Sequence, residues 1–439
     1  MVDEKGTVPL LSSFLFPRIF QTFRLSIQPT KLILAFSALA AICAAGRIMD
    51  FSKTVVVSPS GNTELDEYVL DQGEVDEHIR LFAASGERRG VFSTLWDFGA
   101  KRFHGALIAL SGRNILQVVS NIVACFVALA WAFQYHPGYS ILLFAFVLAA
   151  MSVSGGAICR LAALQFAQAE KPGLGEGIRF GVRKFQSFFT APITPIAIIL
   201  VLGAFIFLLG LVGNIPVVGE LSVGLLLPLA FVGAAVVTVL AIGALAGFNL
   251  MFPAIAYEDS DCFDAISRSF SYVYAKPWTM GFYTALAAIY GAICYAFVRF
   301  FAFSLLLIAY LFLEIGFLQA NEKLAAIWPG VGFTNFLGAS VGPPQQWSAW
   351  LAYYLIRIWV LVVVGLMVSF VISFYFSANT IVYALMRNRV DKVALEEVYL
   401  SSDEPEPGPL AAAHVTDDSL GQADAAAPET TEDKPGTSE

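Results

Sequence analysis

Apolar and polar positions follow one another along this chain in a recurring layout. Short amphipathic stretches, with apolar residues four and three apart, lead through a proline into long apolar runs. The layout is clearest at residues 251–298, MFPAIAYEDSDCFDAISRSFSYVYAKPWTMGFYTALAAIYGAICYAFV. There Asp261 is placed to cap a helix start, and Asp264 falls in the first turn, where the helix dipole favours negative charge. Ile266, Phe270 and Val273, widened by Tyr274, form one apolar side, while Ser267, Arg268, Ser271 and Lys276 take the others. A helix of this kind suits the membrane interface. Pro277 ends it, Trp278 is an interface anchor, and residues 279–298 are long enough to cross a bilayer.

The same layout recurs more loosely. Phe16, Phe20, Phe23 and Ile27 precede Pro29 and the apolar run Leu32–Gly46, about 15 residues against the ~20 of a usual crossing. Ile178, Val182, Phe185 and Phe189 precede Pro192, Pro195 and another run. Crossings are predicted at 115–133, 141–159, 193–213, 221–251, 279–298 and 349–376. Arg160 is expected to stop the second of them, and Arg299 to mark the far interface. The pattern predicts an all-α integral membrane protein with six transmembrane helices, a short N-terminal hydrophobic segment and repeated interfacial amphipathic helices.

Segment boundaries follow. Residues 1–31 form an N-terminal interfacial amphipathic segment, and 32–51 a short hydrophobic segment, re-entrant or a first crossing. Residues 52–113 form an extramembrane stretch, acidic at first, then amphipathic through Phe103, Leu107 and Leu110 beside Lys101, Arg102 and His104. This stretch is too small to promise an independent catalytic domain. Residues 114–386 hold the six crossings, and 387–439 an acidic tail expected to be disordered. Basic residues cluster at 80–113, 160–190, 268–276 and 387–392. Six crossings place all four clusters on one side, the cytoplasmic one by the positive-inside rule. A first run that crosses fully conflicts with that arrangement.

Composition sharpens the class. The 439 residues are 57% apolar and 14% charged, too little charge for the surface of a soluble protein this size. The net charge of −8 belongs to the tail: residues 401–439 carry ten acidic residues and one lysine, −9, leaving +1 for residues 1–400. No basic excess points to nucleic acid. Cysteines 43, 125, 159, 262 and 294 form no CxxC pair and read as small apolar residues rather than a disulfide or metal framework. The N-terminal run, followed by Arg47, does not resemble a standard signal peptide.

Candidate chemistry is sparse. Glu258, Asp259, Asp261 and Asp264 could hold a divalent cation near a membrane surface, or serve as a helix cap and solvated turn. Gly173-Leu174-Gly175-Glu176-Gly177 lacks the buried strand and the lysine-hydroxyl pair of a phosphate loop and reads as an elbow. Ser154-Gly155-Gly156 lies inside a crossing, where small residues allow close helix packing. Histidines 78, 104, 136 and 414 are scattered without a metal-binding spacing, so no metal or cofactor is expected. Arg299 and Arg357 fall at the non-cytoplasmic ends of their crossings. They could bind a phosphate or carboxylate, or reach to lipid head groups.

The run Ala254–Trp278, with Gly155-Gly156-Ala157-Ile158-Cys159-Arg160 and Glu176–Pro192, resembles an uncharacterised family of bacterial multi-pass membrane proteins over most of residues 17–390. More remotely, its acid–Ala–Ile–x–Arg–Ser…Pro unit resembles the membrane domain attached to some glycerophosphodiester phosphodiesterases. The catalytic domain of those enzymes is absent here, so the resemblance implies no catalytic residues. The expectation is a non-catalytic scaffold or accessory protein of the bacterial inner membrane, in contact with membrane lipids. Its protein partners would engage residues 52–113 and the acidic tail. A transporter of a small anionic or lipid-like substrate is the alternative, and a lipid-modifying enzyme the third reading.

Overall fold

The computed structural model describes residues 15–84, 87–317, 321–333, 335–336 and 344–399. A 3-10 turn at Phe16–Gln21 and helix α1 (Thr22–Ser26) lead into α2 (Pro29–Met49). The short apolar run gains length at both ends. Pro29 starts the helix, where its fixed φ and missing N–H cost nothing, and the helix takes in Thr30, Lys31 and Arg47–Met49. Lys31 is fully buried, and its Nζ donates to Leu25 O (3.2 Å) and Gln165 Oε1 (3.0 Å). Those acceptors let an ammonium sit inside an apolar body.

Beyond α2, strands β1 (Val55–Val57) and β2 (Glu87–Arg89) pair antiparallel around α3 (Glu64–Leu70) and α4 (Val75–Phe82). Thr63 and Asp66 close a capping box on α3. The chain continues through α5 (Val91–Ser111), α6 (Ile115–Tyr135), α7 (Pro137–Gln168), α8 (Leu174–Arg183), α9 (Phe185–Val212) and α10 (Val218–Glu258). Then come α11 (Cys262–Ala275), α12 (Pro277–Phe317), α13 (Asn321–Ile327) and α14 (Trp347–Asp391). Among the described residues seven helices are long and apolar enough to cross a membrane: α2, α6, α7, α9, α10, α12 and α14. The chain is an all-α, multi-pass membrane protein.

Several boundaries differ from the sequence expectation. Arg160 does not stop α7, which continues to Gln168. Helix α12 runs on past the predicted crossing end at Val298 to Phe317, and Pro192, Pro195, Pro228 and Pro253 all lie inside continuous helices. At 1.5 Å per residue the 41-residue α12 is ~60 Å long, about twice the hydrocarbon thickness. Helix α11 has the predicted cap, with Asp261 accepting from Asp264 N (2.9 Å). Its apolar stripe packs on protein rather than lying free in the interface. Phe270 lies against Gly243 and Gly247 of α10, and Tyr274 donates to Val239 O.

Residues 52–113 also differ from a free extramembrane stretch. Val55, Leu65, Tyr68 and Val75 form one core with Ala128, Trp131 and Ala132 of α6. Asp50, at the end of α2, accepts from Phe92 N and Ser93 N (2.9 Å each) and from Tyr139 Oη (2.7 Å). The start of α5 therefore sits where α2 ends and α7 begins. A Cβ on Gly90 would fall 2.0 Å from Asp50 Cγ, so this approach needs glycine. From there α5 runs back beside α6, turning through Gly112, Arg113 (φ 57°) and Asn114, whose side chain caps α6. With α5 as the returning segment, a crossing α2 no longer conflicts with the helices that follow.

The opposite helix ends converge. Gly155 and Gly156 of α7 lie so close to the Phe376 and Phe188 rings that an added Cβ would sit 2.4–2.5 Å away. This close packing brings α7, α9, α10 and α14 together. Residues 392–399 fold back over the junction, with Leu395 and Val398 buried and Tyr399 N donating to Tyr257 O (3.1 Å). Residues 387–399, expected from sequence to belong to a disordered tail, are therefore folded, because Arg387, Leu395 and Val398 find buried partners. Residues 1–14 and the rest of the tail, 400–439, lie outside the described residues.

Truncation after Leu400 is expected to leave membrane insertion and the thermal midpoint unchanged. Truncation after Asp391 removes a hydrogen-bond acceptor of buried Arg160 and should lower stability by ~1–3 kcal/mol. Thermal unfolding of both truncated chains in one detergent checks the contrast.

Candidate functional site

The densest set of charges lies where α7, α10, α11 and α14 meet. Glu258 is the last residue of α10, and Asp259 follows in the left-handed region (φ 51°), turning the chain toward α11. Glu258 Oε1 lies 2.7 Å from Arg387 Nε and 3.8 Å from Arg268 Nη1, and accepts from Tyr383 Oη (3.3 Å). Arg268 also holds Asp264 across one helical turn at 3.0 Å. Asp259 pairs with Lys184 (3.0 Å) and Arg183 (3.5 Å) at the α8–α9 junction. Asp261 serves as the α11 cap.

Each of the four carboxylates thus has a separate structural task. Among the described residues no group of three His, Cys, Asp or Glu side chains could hold a metal ion. The structure does not bring Glu258, Asp259, Asp261 and Asp264 together as a cation site, because neighbouring basic groups and backbone amides draw them apart.

Two further groups complete the junction. Arg160, 1% exposed, donates Nη1 to Ala256 O (2.8 Å) and Nη2 to Tyr399 O (2.9 Å), with Phe180 stacked 4.8 Å from its guanidinium carbon. Tyr272 of α11 donates to Asp391 at the end of α14 (2.5 Å). Burial, reinforced by the Asp391 carboxylate, pushes the Tyr272 phenol above its ordinary value, so it remains a donor at neutral pH. Lys276 ties the start of α12 to Arg389 O (3.0 Å).

Arg299 lies elsewhere, on α12 beneath the connection to α14. It is 6% exposed, donates Nη1 to Tyr295 Oη (3.2 Å) and Nη2 to Phe333 O (2.7 Å), and sits 5.2 Å from the ring centres of Phe333 and Phe336. It also meets His104 Nε2 of α5. Because Ala100 O can only accept, His104 Nδ1 must carry the proton at their 2.8 Å contact, which leaves Nε2 to accept from Arg299. Arg357 is exposed and donates to Tyr353 Oη (2.7 Å). The described partners of the two arginines do not overlap, and the structure does not assemble them into one site.

A cavity of about 350 Å³ lies between the α5–α6 hairpin and α10, α12 and α14. Phe103, Leu107 and Leu110, the stripe read from sequence as extramembrane, form its α5 wall. Ala287, Gly291 and Ala292 of α12 face them, with Phe370, Phe374 and Asn379 of α14. Neither Arg299 nor Arg357 borders it, and Arg357 borders a separate cavity of about 10 Å³. No family model, curated protein or solved structure matches the chain.

Sequence reasoning gave Arg160, His104 and Asp50 no part in joining distant helices. A signal existed for the first: an arginine inside the otherwise uncharged run from Gly155 to Phe166 must find partners or disrupt the body. Arg160 meets Tyr399 across 239 positions and Asp50 meets Tyr139 across 89, and such pairings are not written in spacing.

Removing one member of a largely buried pair leaves the other charge uncompensated. Glu258→Gln is expected to cost ~3 kcal/mol, Arg299→Gln, which leaves uncharged buried acceptors unmet, ~1–3 kcal/mol, and exposed Arg357→Gln only ~0–1 kcal/mol. Thermal unfolding of the three variants reads the order directly.

Proposed function

We propose that this chain is a non-catalytic scaffold or accessory protein of a bacterial cytoplasmic membrane, in contact with lipids and open to a protein partner on its extramembrane face. The observation that carries this reading is where the charges are spent. The carboxylates, Arg160 and Arg387 tie helix ends together, and Arg299 ties α5 to α12 and the following connection. The 350 Å³ cavity is lined almost wholly by carbon, which favours lipid contact over a hydrated path for a small anion. The small α3–α4 unit supports the partner half of the reading. It is docked on α6 yet leaves Leu70 (78% exposed) and Leu81 (63%) at its surface beside acidic side chains.

Orientation follows from the same geometry. Lys31, Arg160, Lys184, Lys276 and Arg389 gather at the ends where α2 begins and α7, α10 and α14 finish. The acidic residues of 52–84 lie with Asp50 and Tyr139 at the other end, and so do Arg80, Arg88 and Arg89. This part of the 80–113 basic cluster therefore does not share a side with the other three as the sequence suggested. The positive-inside rule makes the first end cytoplasmic. In a cysteine-free background, probes at positions 184, 276 and 392 should label from the cytoplasm and a probe at Asn62 from the opposite side. Labelling of Asn62 together with the other three from one side would reverse the assignment of α2 as a crossing.

Two measurements test the scaffold reading against transport. Photo-crosslinkers placed singly at Leu70 or Leu81 in native membranes should each give a discrete protein adduct, lost when the other of the two positions is changed to Lys. Vesicles containing the purified chain should pass phosphate and small carboxylates no faster than empty vesicles. Anion uptake that Arg299→Gln abolishes, in a chain that stays folded, would overturn the proposal.

A further inference from the structure

The 350 Å³ cavity has two features that ordinary packing does not explain. Protein interiors are packed nearly as densely as organic crystals. Here α12 faces the space with Ala287, Ala288, Gly291 and Ala292, α14 with Ala378, and α5 with Ala106, so small side chains hold it open on three sides. The second feature is Asn379. It borders the cavity, is 7% exposed, and makes no hydrogen bond to any described residue. An amide on a residue this buried, bordering a cavity and without a protein partner, is uncommon. The neighbouring polar groups are otherwise engaged: Tyr375 Oη donates to Asn249 Oδ1 (2.6 Å), and Tyr295 Oη accepts from Arg299. Thr284 has only a long contact with Met280 sulfur (3.9 Å).

The polar and apolar ends are separate. Thr284 and Asn379 lie at one end. Tyr295, Phe103 and Phe370 lie at the other, eleven residues along α12, a rise of ~16 Å. The lining reaches Val118 of α6 and Asn249 of α10. The nearby Val119, Ile122, Leu245 and Phe248 are exposed on helices apolar enough to cross a membrane, so the surface around the cavity suits hydrocarbon rather than water. A volume of about 350 Å³ is too small for another helix, ~10 Å across with its side chains. It has the proportions of one flexible chain.

We propose that this cavity binds one acyl chain of a membrane glycerolipid, with the Asn379 amide donating to the ester carbonyl and the chain running toward Tyr295. This rests on the lipid-contacting part of the function proposed above and adds a defined site to it. The hairpin α5–α6 is then one wall of the lipid site, and the contact of Arg299 with His104 fixes that wall to α12.

The test uses the full-length chain in nanodiscs with a phosphatidylethanolamine carrying a diazirine near the middle of one acyl chain. Irradiation and peptide mapping should place label on residues 103–110, 287–295 and 370–379. Ala288→Leu, which adds bulk to the α12 wall of the cavity, should remove most of that label while leaving label on the exposed faces of α9 and α10. Asn379→Leu should weaken lipid retention on delipidation, read by native mass spectrometry, about five- to tenfold, as expected for one hydrogen bond. Because Asn379 is buried, Asn379→Ala is measured as well, and thermal unfolding confirms that each variant is folded. Equal labelling of all variants, label confined to outer faces, or retention unchanged in both Asn379 variants overturns the site. Recovery of free fatty acid or water alone from the undisturbed protein also overturns it. The adducts at Leu70 and Leu81 are scored in native membranes that carry the same Ala288 and Asn379 variants, so loss of the lipid site with those adducts intact leaves the scaffold reading standing.

Discussion

A buried charge in an apolar body must be matched, and the match at Glu258 shapes the junction of this protein. Its carboxylate faces Arg387 from α14 and Arg268 from α11, and Asp259 beside it faces Lys184 and Arg183. Four elements are thereby held at the end of α10. Desolvation makes each of these charges unfavourable alone, so the pairs add less to stability than their closeness suggests. Their stronger effect is on uniqueness. An apolar bundle accepts many sliding arrangements, whereas a misplaced helix here would strand an ion. Arg160 acts the same way through backbone carbonyls, tying α7 to α10 and to the folded-back segment at Tyr399.

Close packing makes this matching possible. Gly155 and Gly156 let the Phe376 and Phe188 rings approach the α7 backbone, and Gly243 and Gly247 let α11 approach α10. In hydrocarbon, where apolar burial gives little gain between helices, such contacts and the satisfied polar groups carry association. The α9–α10 hairpin beyond the junction shows the other regime. Its side chains from Ile193 to Leu245 are mostly exposed, as lipid-facing surface should be. The bundle therefore has a tightly specified end and a loosely specified one, and the cavity walled by α5 lies between them.

The α5–α6 hairpin links that architecture to function. Its start is clamped by Asp50 and Tyr139, and its middle by Arg299 through His104. At the second anchor Phe103 meets Tyr295 of α12 edge to face and Leu107 packs into the same cluster, and from there to Leu110 the helix borders the cavity. A wall fixed at two points and bordering open space beyond them suits a site for an apolar chain better than a packed core.

Much of this protein is legible in its sequence. The long apolar runs require α-helices in a membrane, because backbone polar groups there must be satisfied within the segment. The Asp261 cap and the stripe of α11 are local features, and local spacing shows them. Tertiary structure decided what depends on distant partners. Lys31 could extend α2 only because Leu25 O and Gln165 receive it, and Arg160 could continue α7 only because Ala256 and Tyr399 supply carbonyls. The apolar stripe of α5 was visible, but not whether it faced lipid, protein or a cavity, since helical periodicity defines a face and not its neighbour. Arg299 and Arg357 look alike in sequence. One is buried against His104 and the other exposed, because a chain's own pattern does not encode which helix comes to lie beside it.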